Sequence, residues 1–384
     1  MIKQYADQVH RCFRCGYCKF PTDYSDFNCP SYARFRFDTY STGGRLWLIY
    51  AWLKGEVEWS EHLAEILYAC TTCKNCAEQC PMRFSTDIVD WIVAARSDIM
   101  EKEKGRLPPA VTAFLEDIYR LGNPLKSRER RDAWAKGIKR YQRGDEYLLY
   151  VGCLGSYDEL GQKMAKSVAA LLTGAGVSFG ILGSEESCCG SEVYLLGENE
   201  LFRLLAQRNI QKFTELGVKK VVTLSPHAYN TMKNSYPLLG GYFELYHYTQ
   251  LLCRLLREGR LKPSPGRAKV TYHDPCFLGR YNRVYDEPRE VLRAIPGLEL
   301  VEMGRSRENS FCCGGGSGNF VTDLLSGSRD SPARLRVREA HKTGADILAV
   351  ACPGCLTMLQ DAVKVENLEG KVAVRDVSQV VAGG

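Results

Sequence analysis

The chain has 384 residues, 51 Lys+Arg against 45 Asp+Glu and a formal net charge of +6, with 45 % hydrophobic and 25 % charged residues. These values exclude disordered, collagenous and coiled-coil chains, and at about 100–200 residues per domain the length predicts two or three domains with cores of their own. The most apolar stretches, around 46–53 and 347–351, fall far short of the roughly 20 residues a membrane helix needs, and MIKQYADQVHRC lacks a secretory apolar core, so a cytoplasmic protein is expected.

Seventeen cysteines do not suit disulfides in a reducing compartment, and read instead as metal ligands or redox groups. Cys12, Cys15, Cys18 and Cys29, then Cys70, Cys73, Cys76 and Cys80, all fall in the first 80 residues. Between them LWLIYAWLKGEVEW and SEHLAEILYAC predict helices broken at Gly55, the second capped by Ser60 with Leu63, Ile66 and Leu67 on one face. A helical period returns over 86–104, and no strand pattern precedes about residue 147, so 1–145 is expected to be all-helical. The basic run 126–143 reads as a solvated helical face and not as a nucleic-acid surface, and no nucleic-acid partner is expected.

From 147 onward strands and helices alternate. YLLYVG, VSFGIL and KKVVTLS predict strands, separated by helices over 159–172 and about 199–216, with a helix opening at Pro226. A Pro- and Gly-containing charged stretch, 257–268, reads as a linker. After it the order returns with strands KVTYHD, LELVEM and DILAVA and helices over 287–295, over 331–343 and from Pro353. Cys153 and Cys276, Cys188 and Cys312, and Ser225 and Cys352 are offset by 123, 124 and 127 residues, which identifies an internal repeat. Each half is predicted to be a small, mostly parallel sheet flanked by helices, with its cysteines at the carboxyl ends of the strands, where open α/β sheets hold ligands. The expected fold class is therefore α + α/β, divided as 1–145, 146–262 and 263–384.

Cys70-x2-Cys73-x2-Cys76-x3-Cys80-Pro81 has the spacing in which three thiolates hold one corner of a cubane and the fourth turns away to a second cluster. Cys12, Cys15 and Cys18 repeat the triplet, and Cys29-Pro30 supplies its detached member. The economical assignment is crossed: one [4Fe–4S] cluster on Cys12, Cys15, Cys18 and Cys80, another on Cys70, Cys73, Cys76 and Cys29. Structural zinc sites prefer two CxxC pairs and fit the spacing less well. Two such clusters, each about −2 with its thiolates, would bring the protein from +6 to about +2. Gly314–Gly318 lacks the dinucleotide spacing, and neither a flavin nor an NAD site is expected. Cys253 reads as core. His273 and Asp274 could tune a cluster or shuttle a proton, or simply shape a turn.

GlyGlyArgLeuTrpLeuIle at 43–49, LeuAlaGluIleLeuTyrAlaCysThrThrCys at 63–73 and CysAlaGluGlnCysPro at 76–81 resemble the helical two-cluster module of the iron–sulfur subunits of anaerobic glycerol-3-phosphate dehydrogenase and glycolate oxidase. The D-type subunit of heterodisulfide reductase and the lactate-utilisation iron–sulfur protein are similar. Cys276, Cys312-Cys313-Gly314 and Cys352-x2-Cys355 resemble the cysteine-rich CCG domain of the same proteins. That resemblance implies a non-cubane four-iron cluster on Cys276, Cys312, Cys313, Cys352 and Cys355. The first half keeps Cys153, Cys188 and Cys189, but Ser225-Pro226-His227-Ala228 stands where relatives often read CysProHisCys. A further cluster there is left open: a different cluster, a partner's ligand or none. The resemblance implies an electron-transfer subunit of an anaerobic oxidoreductase. Its partners would be a flavoprotein dehydrogenase or electron-transfer flavoprotein and other subunits, which could attach the complex to a membrane. Disulfide reduction at the 276–355 cluster is the alternative.

Overall fold

A computed structural model describes residues 2–20 and 26–383. Up to residue 146 the described residues form helices and turns without a strand. Ser41 opens the helix Thr42–Lys54 by accepting from the Gly44 amide, and Gly55, at φ 72°, closes it. Ser60 likewise accepts from the Leu63 amide to open Glu61–Tyr68, which buries Leu63, Ile66 and Leu67, so each helix starts where a hydroxyl satisfies an orphan amide. The helix Ile88–Lys102 runs through the centre of this region, with Trp91, Ile92, Ala95 and Ile99 wholly buried.

The basic run does not form the solvated helix that its composition predicts. Residues 122–146 are turns and extended backbone, with Arg131, Trp134, Ala135 and Tyr141 buried. Of its cations Arg131 alone is buried, pairing with Glu186 at 3.1 Å, while Arg140 reaches Asp132 and the Leu182 carbonyl from an exposed position; the run is solvated as expected, but it is not a helix.

Two four-stranded parallel sheets follow. The first has the order β2-β1-β3-β4, from β1 (Tyr147–Tyr150), β2 (Phe179–Gly180), β3 (Lys220–Thr223) and β4 (Glu244–His247). The second repeats it as β6-β5-β7-β8, from β5 (Ala268–Tyr272), β6 (Leu298–Val301), β7 (Ile347–Val350) and β8 (Ala373–Asp376). The halves share one apolar core, in which Leu224, Tyr248 and Leu252 meet Tyr272, Val291 and Val377, and the Tyr248 hydroxyl donates to Asp376 at 2.6 Å.

β4 ends on a buried histidine that ties the first half together. The Nε2–H of His247 donates to the Leu224 carbonyl at 3.1 Å and its Nδ1 accepts from Thr249 Oγ1 at 2.7 Å; burial pushes its pKa down to about 3. An unfolded histidine titrates near 6.5, so between that value and about 3 the unfolded chain binds a proton that the fold refuses, and stability is lost as pH falls through that window. This one group should cost the fold about 2 kcal/mol between about pH 7 and about pH 5. Hydrogen exchange of the β3 and β4 amides, corrected for intrinsic rates, should show that loss in the wild type and little of it in His247→Gln.

Candidate metal centres

Cys12, Cys15, Cys18 and Cys80 line one cavity, closed by Thr42, Gly43, Leu46 and Phe84. Cys80 is only four residues beyond Cys76, but it terminates the helix Asn75–Gln79 in extended backbone, and the turn carries its side chain to the other triplet. Cys15 is exposed, while Cys12, Cys18 and Cys80 are half-buried. The second set is interior: burial pushes the Cys76 thiol up, the Thr42 hydroxyl opposes this, and Cys70, Cys73 and Cys29 add to it as like charges. Burial also raises Cys18, with Cys76 and Cys29 next in effect, so the two sets adjoin.

The second set leads directly into the C-terminal half. The Cys73 thiol is in hydrogen-bonding contact with Cys312, and Thr71 Oγ1 lies 3.8 Å from the Cys312 sulfur. The two loops can approach because residue 316 is glycine: a Cβ there would stand 2.4 Å from the Thr71 carbonyl oxygen. Cys312 in turn meets Cys276 and Cys313, Cys313 lies 3.4 Å from Cys355, and Cys355 meets Cys352. All five are buried. The glycine after each cysteine pair is needed for its backbone, with φ 77° at Gly190 and 90° at Gly314, values an L side chain resists.

These thiols share protons instead of ionising together. Cys352 is lowered to about 7, first by the hydrogen bond from Cys355 and against its burial. Cys313 is lowered by Cys312 and Cys355, while contact with Cys313 and then Cys352 holds Cys355 well above the ordinary thiol range. Full deprotonation of five buried thiols in contact requires a cationic centre among them, and soft sulfur donors select iron–sulfur clusters or zinc and not hard cations.

Buried N–H groups with no acceptor distinguish between those two. Arg280 donates to the carbonyls of Cys73 at 2.7 Å, Ser310 at 2.6 Å and Glu308 at 3.2 Å, yet its Nη2 is unspent. Arg96 holds the Cys70 carbonyl at 2.6 Å with its Nε unspent, and Asn75 Nδ2 is a third such donor. Thiolate sulfurs accept such bonds in either centre, and the bridging sulfides of an iron–sulfur cluster add acceptors that a zinc site lacks. The residues present fit iron–sulfur centres. Arg280 stays charged although burial opposes it, because Cys73, Cys276 and Cys312 surround it. Neither Arg280 nor Arg96 belongs to a ligand motif, and neither is visible as functional in the sequence.

His273 brings a ring nitrogen within 4.8 Å of the Cys313 and Cys355 sulfurs, and its Nδ1 accepts from Arg336 at 3.1 Å. Asp274 has a structural role, gripping Arg289 at 2.6 and 2.9 Å and the Arg307 amide at 2.8 Å.

The first half faces the second across an apolar pocket lined by Cys153, Cys188 and Cys189 on one side and Cys276, Cys313, Cys352 and Cys355 on the other. Cys153 contacts Cys188, and Cys188 contacts Cys189. Ser225 spends its side chain capping the helix Pro226–Asn234, accepting from the His227 amide at 3.2 Å. Cys352, at the same place in the repeat, makes no such cap. His227 stacks on Phe277 at 3.9 Å, and its Nδ1 lies 2.5 Å from Glu192 Oε1 without the alignment of a hydrogen bond. Arg131 donates to the Cys153 sulfur at 3.5 Å, a side chain from the run read as solvent-facing. A polar surface cavity beside the helix Asn199–Glu215 is lined by Arg131 and Glu186 and shares Ile118 with this pocket.

Among known families, the cysteine-rich CCG domain matches residues 147–233 and 270–360, and a 4Fe-4S dicluster domain matches 8–84. A probable iron-sulfur-binding oxidoreductase, FadF, of Bacillus subtilis is 42 % identical over 83 % of this chain and 46 % of its own length. The EtfAB:quinone oxidoreductase of Syntrophomonas wolfei is 36 % identical over the same shares. The chain thus spans about half the length of these two relatives. The D-type subunit of the dihydromethanophenazine:CoB–CoM heterodisulfide reductase of Methanosarcina barkeri is 33 % identical over 84 % of this chain and 78 % of that one. A hypothetical protein from Helicobacter pylori shares the fold, with a TM-score of 0.53 at 11 % identity over 92 % of this chain and 69 % of its own. No helix among the described residues is long and apolar enough to cross a membrane. With a dicluster domain followed by two cysteine-rich domains, the chain belongs to the CCG-domain family of iron–sulfur oxidoreductases.

Proposed function

We propose that the chain is the electron-carrying subunit of an oxidoreductase complex, connecting a flavoprotein partner to a terminal acceptor. One observation carries this reading: the thiol sets form an unbroken succession from the exposed Cys15 through Cys18 and Cys76 to Cys73, Cys312 and the interior pocket. Iron–sulfur clusters bound there would supply one-electron transfer. The chain's own residues do the rest. Cys12, Cys15, Cys18 and Cys80 would hold one [4Fe–4S] cluster, Cys29, Cys70, Cys73 and Cys76 a second, and Cys276, Cys312, Cys313, Cys352 and Cys355 a non-cubane cluster. Leu46, Phe84 and Ile88 keep water from the first set, and Arg280 and Arg96 balance charge at the second.

Anaerobically reconstituted protein should contain about twelve irons per chain; about sixteen would mean that Cys153, Cys188 and Cys189 hold a cluster too, and about eight that only the helical region is loaded. Stepwise reductive titration followed by EPR should give reversible one-electron signals. A loaded protein that takes up no electrons is incompatible with the proposal.

The pocket between the halves favours one second reading, reduction of a thiol disulfide beside Cys313 and Cys355, in line with the name of the Methanosarcina relative. A loaded protein given a low-potential donor and small disulfides would then release free thiol.

A further inference from the structure

The route into the thiol succession has a definite surface. The turn after the helix Ala6–Val9 carries Arg11, Cys12, Phe13, Arg14 and Cys15. Phe13 and Arg14 line the cavity of the first cysteine set, yet Phe13 is 62 % exposed. Arg11, Arg14 and Cys15 face solvent as well. Gly43 packs against Arg14 and the following Gly44 against the Asp38 carbonyl, and Asp38 also bonds to Lys19, one position beyond Cys18; the segment before Asp38, with Arg36 exposed and Phe37 64 % exposed, therefore comes near the turn. Phe13 at the cavity and Phe37 on the neighbouring segment leave two phenylalanines bare on this part of the surface.

The charge around them is one-sided. Residues 2–20 and 26–45 hold three carboxylates, Asp7, Asp26 and Asp38, against seven Lys and Arg, and exposed Asp87, between the cavity-lining Phe84 and Ile88, is a fourth. Lys19 takes Asp38 at 2.7 Å and Arg305 takes Asp26 at 3.8 Å. Among the described residues, Arg11, Arg14 and Arg36 have no carboxylate at ion-pair distance. Two of the three are instead held flat and outward by rings, Arg14 over Trp47 at 4.3 Å and Arg36 over Phe27 at 4.4 Å. Pre-oriented guanidinium groups around an apolar centre match a partner with carboxylates around an apolar patch, the arrangement that steers fast, specific encounters.

We propose that the Arg11–Cys15 turn together with Arg36 and Phe37 is the docking face for an acidic redox protein, which exchanges electrons at the exposed Cys15 corner. This rests on the electron-carrying reading above. Each encounter moves one electron: a fully reduced flavodoxin bound here is oxidised by one electron and the protein is reduced by one. A lipid surface would also accept arginines and phenylalanines, but gains nothing from a metal-binding cysteine at their centre.

The test uses the loaded protein and an acidic flavodoxin as probe, with binding measured by calorimetry and electron uptake by stopped flow. Binding should weaken steeply with salt and about tenfold or more in Arg11→Glu/Arg14→Glu, and Arg36→Glu/Phe37→Ser should repeat the loss. The matched reversal Lys342→Glu/Lys371→Glu, on exposed lysines of the second half, should bind as the wild type does. Dithionite should reduce all variants fully, and unchanged iron content should report intact folding. Equal flavodoxin binding by all variants overturns the docking proposal, as does arginine-dependent binding to phosphatidylglycerol vesicles with none to flavodoxin. Failure of the wild type to take electrons from dithionite overturns the electron-carrying reading instead.

Discussion

Cys80→Ser should erase the same EPR signal as Cys12→Ser and leave intact the signal that Cys73→Ser removes. In the chain Cys80 belongs with Cys70, Cys73 and Cys76; in space it lines the cavity of Cys12, Cys15 and Cys18. The mirror experiment is Cys29→Ser, which should copy Cys73→Ser although Cys29 follows the first triplet, because the Cys29 thiol senses Cys73 in its buried setting. A serine hydroxyl is a poor substitute for soft thiolate, so each variant should lose up to about four irons. Metal-binding energy is folding energy in a small metal domain, and the helical region should lose several kcal/mol of stability with either change. Cys313→Ser should spare both signals, since Cys313 contacts Cys312 and Cys355 and neither helical set. If Cys80→Ser and Cys73→Ser erased one common signal, the crossed assignment would be wrong.

The gathering of Cys80 with the first triplet in one cavity has a local trace in the sequence: three thiolates two residues apart can bend around one corner, and proline after the fourth stops the helix from following. The repeat is legible for a similar reason, each half advertising its strands by short β-rich runs. Two strands escaped that reading. β4 (ELYH) and β8 (AVRD) lie on sheet edges and mix polar with apolar residues, so neither shows a continuous apolar run. Non-local features left still less trace. Nothing in the order of residues places Arg131 against Cys153 or Cys73 against Cys312, separated by 22 and 239 positions. Composition misleads over 126–143 on the helix and on Arg131, which turns inward to Glu186 and Cys153 while the other cations of the run stay exposed. Ser225 reads as a lost ligand and proves to be a helix cap, a role that the residue type allows but the spacing hides.

Arg280→Gln should lower the reduction potentials of the centres on either side of it. The guanidinium is buried between Cys73, Cys276 and Cys312, so it is near both the second helical set and the five-thiol set. Adding an electron makes its surroundings more negative, and a fixed positive charge stabilises that state more than the oxidised one; glutamine removes this preference. A hydrogen bond to a charged group contributes about 1.5–3 kcal/mol, and about 1.4 kcal/mol corresponds to about 59 mV for one electron. The expected fall is therefore about 60–130 mV, read by EPR-monitored redox titration. The set of Cys12, Cys15, Cys18 and Cys80 serves as internal reference, because Arg280 does not line its cavity. Arg280 also ties down three carbonyls, and a purely structural role would show as lost iron with potentials unchanged in the molecules that remain loaded. Arg280→Lys keeps the charge without the planar fork and should recover part of the shift. Tyr281→Phe removes the neighbouring 2.6 Å bond to the Thr72 carbonyl but no charge, and should move neither potential. A shift of equal size in Tyr281→Phe would assign the effect to loop position and not to the guanidinium.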